Sequence, residues 1–396
     1  MTSLKSIGSF LLCLLLSFGS HGQDSLLSQI AKNHFTLFSP GKTSFTGAGW
    51  DTLLNRIQKS DFVLIGEDHF TNEIPAFFKA IASEVKFDNF FCEIDPYSSK
   101  IIQEKIATLT EEKLGKYVAS YGNAFSFYAL DPEFRLMKQL VESKTNIYGL
   151  DQILLVADRL ICNELKEKTL NAQARKIYET IQSNSEIYFD DFLKNPEKPF
   201  YFLTDNFEQN LKSLDSLQLN RQEKEVIAAF KISVKIYKEQ NHPLRVQLMK
   251  DQLMKNYSDW SDKKNLFKFG ANHLAKGESF LKIYDLGNLV NNIADSKFKK
   301  SLHIMIVGKA GMQAAPFKNL PATRVDENSE DLKMLKPFFN LITGHEWYSF
   351  DMLPLRKALE EKQINCADGL RRVIEGYDYL VIIPEVSASK FVNSEE

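Results

Sequence analysis

Asp61-Phe-Val-Leu-Ile-Gly-Glu-Asp-His69 is the stretch on which the fold turns. Four apolar residues, long enough for a buried strand, run into Gly66, and Glu67, Asp68 and His69 follow at once. Next comes Glu73-Ile-Pro-Ala-Phe-Phe-Lys-Ala-Ile-Ala-Ser-Glu-Val85, whose apolar spacing is that of an amphipathic helix. A strand delivering titratable groups just before a helix is the arrangement in which open α/β sheets hold their ligands.

The pattern repeats along the chain. Residues 89–95 and 146–151 read as strands ending in Glu93 with Asp95 and in Asp151. Residues 265–270 read as another, followed by His273, and 302–307 and 379–383 as two more, the last closing the sheet. Residues 98–107 and 132–142 read as helices between them, with Pro132 suited to a first turn. Strands alternating with helices predict right-handed crossovers and an α/β fold with a mainly parallel sheet. Residues 153–262 differ: they carry repeated helical spacing, as in 223–238 and 244–260, and read as a helical insertion forming a lid over the strand carboxyl ends. Asn195-Pro-Glu-Lys-Pro199 and Asn241-His-Pro243 read as loops within it. Residues 279–293 read as the helix after the fourth strand.

Composition sets the outer limits. The 396 residues are 44% hydrophobic and 25% charged, which is ordinary for a globular protein, and the formal net charge of −2 gives no general pull toward nucleic acid. Lys5, the apolar run of residues 10–18 and small residues at Ser20 and Gly22 describe a signal peptide over residues 1–22, cut before Gln23. That reading makes residues 23–396 a single exported domain, periplasmic or extracellular, with no membrane span. Of the cysteines, Cys13 leaves with the leader. Cys92, Cys162 and Cys366 show no metal-type spacing and predict no disulfide framework, with Cys92 a small buried hydrophobe.

In a parallel sheet the strand ends bring Glu67, His69, Glu93 and His273 into one cleft. Two imidazoles beside two carboxylates can activate water, directly or through a divalent metal held by these same four residues. Asp151 reads as either the N-cap of the next helix or part of the cleft, and Asp95 before Pro96 as a cap. His303 reads as a satisfied sheet residue. His345-Glu346 starts like a zinc-protease motif, but Ser349 stands where the second histidine is required. Gly41-Lys42-Thr43 lacks the first glycine of a phosphate-binding loop, and no Gly-x-Ser-x-Gly elbow exists.

Together these motifs resemble the superfamily of erythromycin esterases, ChaN-like haem-binding lipoproteins and TraB/Tiki proteins. Gly66-Glu67-x-His69 is similar to its first signature, with the spacing of the ChaN branch. Glu93 falls where the family has a glutamate after its second strand. Tyr148-Gly-Leu-Asp151, Arg245 with Met249, and Gly270-Ala-Asn-His273 resemble later motifs of the esterase branch, where Gln252 replaces a common asparagine. The resemblance implies a hydrolase acting on a small-molecule ester, lactone or amide. In it His69 is the general base, Glu67 and Glu93 orient it, and His273 stabilises the oxyanion or protonates the leaving group. Arg245 and Asp151 would bind substrate. Its other branches imply a haem- or metal-binding module, with Tyr97 or Tyr148 as axial ligands, or a metal-dependent protease.

Overall fold

The computed structural model describes residues 26–42 and 44–392. The leader expected at residues 1–22 lies outside them. The strands, in chain order, are β1 (Phe35–Pro40), β2 (Phe45–Thr46), β3 (Phe62–Glu67), β4 (Asn89–Cys92), β5 (Asn146–Gly149), β6 (Asn265–Gly270), β7 (Ser301–Gln313), β8 (Thr323–Asp326), β9 (Trp347–Asp351) and β10 (Tyr379–Val386). They form one mixed sheet ordered β2-β1-β9-β10-β7-β3-β6-β4-β5, with β8 on the far end of β7. From β10 to β5 every pair is parallel, while β1, β2, β8 and β9 pair antiparallel.

Side chains alternate between the two faces of this sheet. On β3, Val63 and Ile65 join one core cluster and Phe62 and Leu64 the other. On β10, Val381 and Ile383 separate from Leu380 and Ile382 in the same way. The helix Glu73–Glu84 covers the first face with Ile74, Phe77, Phe78 and Ile81. Leu286–Ser296 covers the second with Leu286 and Val290. Both faces are therefore dry, which is why the parallel strands read as apolar runs.

The crossovers explain where a crevice opens. From β3 the chain passes over the position of β6 to reach β4, and from β6 it passes over β3 to reach β7. These connections run in opposite directions, and right-handedness sends their helices to opposite faces. β3 and β6 therefore flank a topological switch point, where the carboxyl ends of the strands are left uncovered.

Four expectations need correction. β10 does not close the sheet but lies inside it, between β9 and β7. The helix expected at 279–293 starts only at Leu286, because Asp285 accepts from the Leu286 N–H at 2.6 Å and caps it. Asn241-His-Pro243 is no loop: Asn241 caps the helix His242–Lys255, and Pro243 needs no N–H in the first turn. The helix expected over 244–260 breaks at Asn256 into His242–Lys255 and Tyr257–Trp260. Between β5 and β6 the remaining elements are likewise helical, from Asp158–Lys168 onward. Among the described residues no helix is long and apolar enough to cross a membrane.

Candidate active site

β3, β4 and β6 stop nearly level, with Glu67 opposite Gly270 and Cys92 opposite Lys268. Each strand end projects its next residues into the same space. The four expected groups meet there, joined by side chains from elsewhere.

His69 stands between two acids. Its Nδ1 lies 2.7 Å from Glu67 Oε1 and its Nε2 lies 3.5 Å from Glu93 Oε2. With Nδ1–H donated to Glu67, Nε2 is the nitrogen left for chemistry. The ring is packed by Phe127, stacked at 4.5 Å between centroids. Ser126, just before it, has φ +54°, a backbone strain borne where the chain turns to aim that phenylalanine. Burial disfavours the imidazolium, but the bonds to Glu67 and Glu93 outweigh it and raise the His69 pKa to about 10.

Glu93 is the hub. Oε2 accepts the Gly270 N–H at 2.6 Å, and Oε1 accepts from Arg245 Nη2 at 2.7 Å and lies 3.5 Å from His273 Nε2. Burial alone would raise its pKa, yet the two histidines beside it hold it well below the ordinary carboxylate range. Arg245 also grips Asp151, with Nε to Oδ1 at 2.9 Å and Nη2 to Oδ2 at 2.5 Å. Asp151 therefore belongs to the rim and does not cap a helix; the next helix begins at Asp158. Gly149 lets the end of β5 lie against the chain leaving β4, since a Cβ there would meet the carbonyl oxygens of Ile94 and Asp95 at 2.5 Å. Asp95 is the cap it was expected to be, accepting from the N–H groups of Tyr97 and Ser98. Gln252 reaches only the Asp151 carbonyl, at 3.4 Å.

His273 holds Asp285 through Nδ1 at 2.9 Å. Burial works against its charge, while Glu93 and Asp285 raise its pKa to about 9. A cleft of about 640 Å³ opens over these groups. Glu67, His69, Glu93, Arg245 and His273 line one side, and Phe280, Leu281, Met305 and Leu332 give it an apolar wall.

Sequence reasoning missed Lys268, Glu133, Asp285 and His242. Lys268 Nζ bonds Glu67 Oε1 at 2.6 Å and Glu133 Oε1 at 2.7 Å, with all three side chains buried. This ammonium bears on Glu67 from within the core and helps keep it ionised against burial. The position of Lys268 between Phe267 and Phe269 reads as the outward alternation of a half-exposed strand, and only the sheet order, with β6 between β3 and β4, shows it buried. His303, expected to be a satisfied sheet residue, is satisfied only at Nδ1, 2.7 Å from the Leu274 carbonyl; its Nε2 is buried with no hydrogen-bond partner among the described residues.

The residues expected to hold a metal do not fit one. Lys268 already neutralises Glu67, and Glu67 already occupies His69 Nδ1. Among the described residues, the group whose donor atoms all fall within 4.8 Å of one another is His242, His273 and Asp285, sharing only His273 with the expected four. The tyrosines named for haem also lie elsewhere. The Tyr97 hydroxyl donates to the Glu225 carbonyl, and Tyr148 stacks on Phe91 within the sheet.

The fold of this chain, a mainly parallel α/β sheet flanked by helices, is like that of erythromycin esterase. No protein-family model and no curated protein matches the chain. Among solved structures it is similar to a succinoglycan biosynthesis protein, at 17% identity and a TM-score of 0.56, covering 92% of this chain and 98% of that one. It is similar also to a mutant of erythromycin esterase EreC in its open conformation, at 14% identity and a TM-score of 0.55, covering 87% and 96%. At these identities the likeness is one of fold. The haem-bound ChaN of Campylobacter jejuni overlaps more loosely, at 15% identity and a TM-score of 0.29 over 69% of this chain and 91% of that one.

Proposed function

We propose that this chain is an exported hydrolase that activates water at His69 to cleave a small ester, lactone or amide. The observation that carries the reading is the convergence of Glu67, His69, Glu93 and His273, from three strand ends, on one open cleft.

Each side chain has a defined task in this scheme. Glu67 holds His69 through Nδ1, so that a neutral ring offers Nε2 as the base. Water gives its proton to Nε2 as its oxygen bonds to the substrate's carbonyl carbon, and the carbonyl π pair moves onto oxygen. Protonated His273, steadied by Asp285, faces the developing negative charge. When the intermediate collapses, the bond to the leaving group breaks and an imidazolium returns the proton to it. No covalent enzyme intermediate forms. Arg245, fixed by Asp151 and Glu93, borders the cleft and positions the substrate.

The test is an ester, lactone and amide panel run with and without chelator on the wild type, His69→Ala and Glu93→Gln. Turnover by the wild type, lost in both variants while circular dichroism is unchanged, is the expected result. Full turnover in His69→Ala would sink the assignment.

A further inference from the structure

His242 begins the helix that carries Arg245, and its ring lies 5.6 Å from that of His273. Its Nε2 is buried with no hydrogen-bond partner among the described residues. An imidazole nitrogen withdrawn from water with nothing to bond is a cost that a ligand would remove. The same ring faces the cleft, as does His273.

We propose that His242, His273 and Asp285 form a binding site for one zinc-type divalent ion at the wall of the cleft. Two imidazoles and a carboxylate are a donor set that zinc takes when a further position is left open to water or ligand. Donors about 2.0–2.2 Å from a tetrahedral ion stand roughly 3.4 Å apart, so a spread within 4.8 Å closes by small side-chain rotations. His273, whose pKa Glu93 and Asp285 raise to about 9, gives up its proton as the ion binds, whereas His242 has none to lose. Burial and the neighbouring His273 and Arg245 hold the His242 pKa down, so its ring is neutral and ready to bind. Arg245, one turn along, is already paired with Asp151 and Glu93 and does not repel an ion at full strength. Asp285 is anchored as the cap of Leu286–Ser296 and already lies 2.9 Å from His273 Nδ1, so the two donors start close together.

The experiment strips metal from the purified protein and titrates Zn²⁺ by calorimetry and Co²⁺ by its visible absorption. Wild type is expected to bind one ion per chain. His242→Ala, at the start of its helix and only half-buried, should weaken binding by at least about tenfold, and Asp285→Asn should do the same. His69→Ala should bind as wild type does. No saturable binding by wild type, or undiminished affinity in His242→Ala, would overturn the site, as would loss of binding in His69→Ala alone. Metal binding and hydrolysis are read separately: chelator-insensitive turnover that requires His69 upholds the proposed reaction whatever the ion titration returns, and Co²⁺ bound through His242 without turnover upholds the site alone.

Discussion

The backbone N–H of Gly270 donates to Glu93 Oε2 at 2.6 Å, and a Cβ on the same residue would stand 2.9 Å from His69 Nε2. The glycine thus keeps clear the space beside His69 Nε2, where water would meet the base in the proposed reaction. Gly270 has φ −54°, a conformation alanine adopts without strain. Gly270→Ala is therefore expected to lower kcat/KM about 10²-fold while shifting Tm little. Steady-state kinetics and thermal denaturation on one preparation check both halves.

Replacing the base itself has a larger effect. His69→Ala should cost about 10²–10⁴ in kcat, with KM nearly unchanged, because the ring moves a proton and does not hold the substrate. A Michaelis–Menten comparison on the best substrate decides it.

The acids around His69 set the pH range. Only the neutral ring accepts a proton, and a pKa raised to about 10 leaves little of it at neutrality. The rate should therefore climb from neutrality toward pH 9, and turn down above about 10 because His273, with a pKa near 9, must keep its proton. Glu67→Gln removes the acid at Nδ1 and should move the midpoint of that limb downward. A pH–kcat/KM profile flat from 7 to 10 would exclude His69 as the base.

Lys268 is held by two buried carboxylates. Lys268→Met strands both, and unfolding free energy should fall by about 3–5 kcal/mol. Adding Glu133→Gln removes one stranded acid and should recover part of the loss, as urea denaturation of both variants would reveal.

His303 predicts the acid limb of stability. Burial, with Lys276 nearby, lowers its pKa from 6.5 to about 4. The unfolded chain then binds a proton that the folded one refuses. Its contribution is whole above pH 6.5 and is lost as pH falls through 4. His303→Gln should flatten that part of the stability–pH curve measured by denaturant titration.

The parallel half of the molecule was legible because β3, β4 and β6 are buried on both faces, as are the first parts of β7 and β10, and carry their apolar character openly. The antiparallel strands were not. β8 is Thr-Arg-Val-Asp with three exposed residues, and β9 follows the polar His345-Glu346 that drew attention to itself. The four rim residues were readable because each lies at a strand's carboxyl end or just past it. Lys268 was not, since a charged residue alternating with phenylalanines looks half-exposed until the sheet is closed over it. His242 and Asp285 sit at helix starts, where position along the chain gives no hint of a meeting across the fold. Asp151 was misweighed because capping and pairing ask for the same residue type.

Arg245 comes from the helical stretch, whereas Asp151 and Glu93 belong to the sheet, so one guanidinium stitches two parts of the molecule together. A change on the outer faces of the helices can then alter what reaches the cleft, while the seam holds Glu93 and Asp151 where they stand.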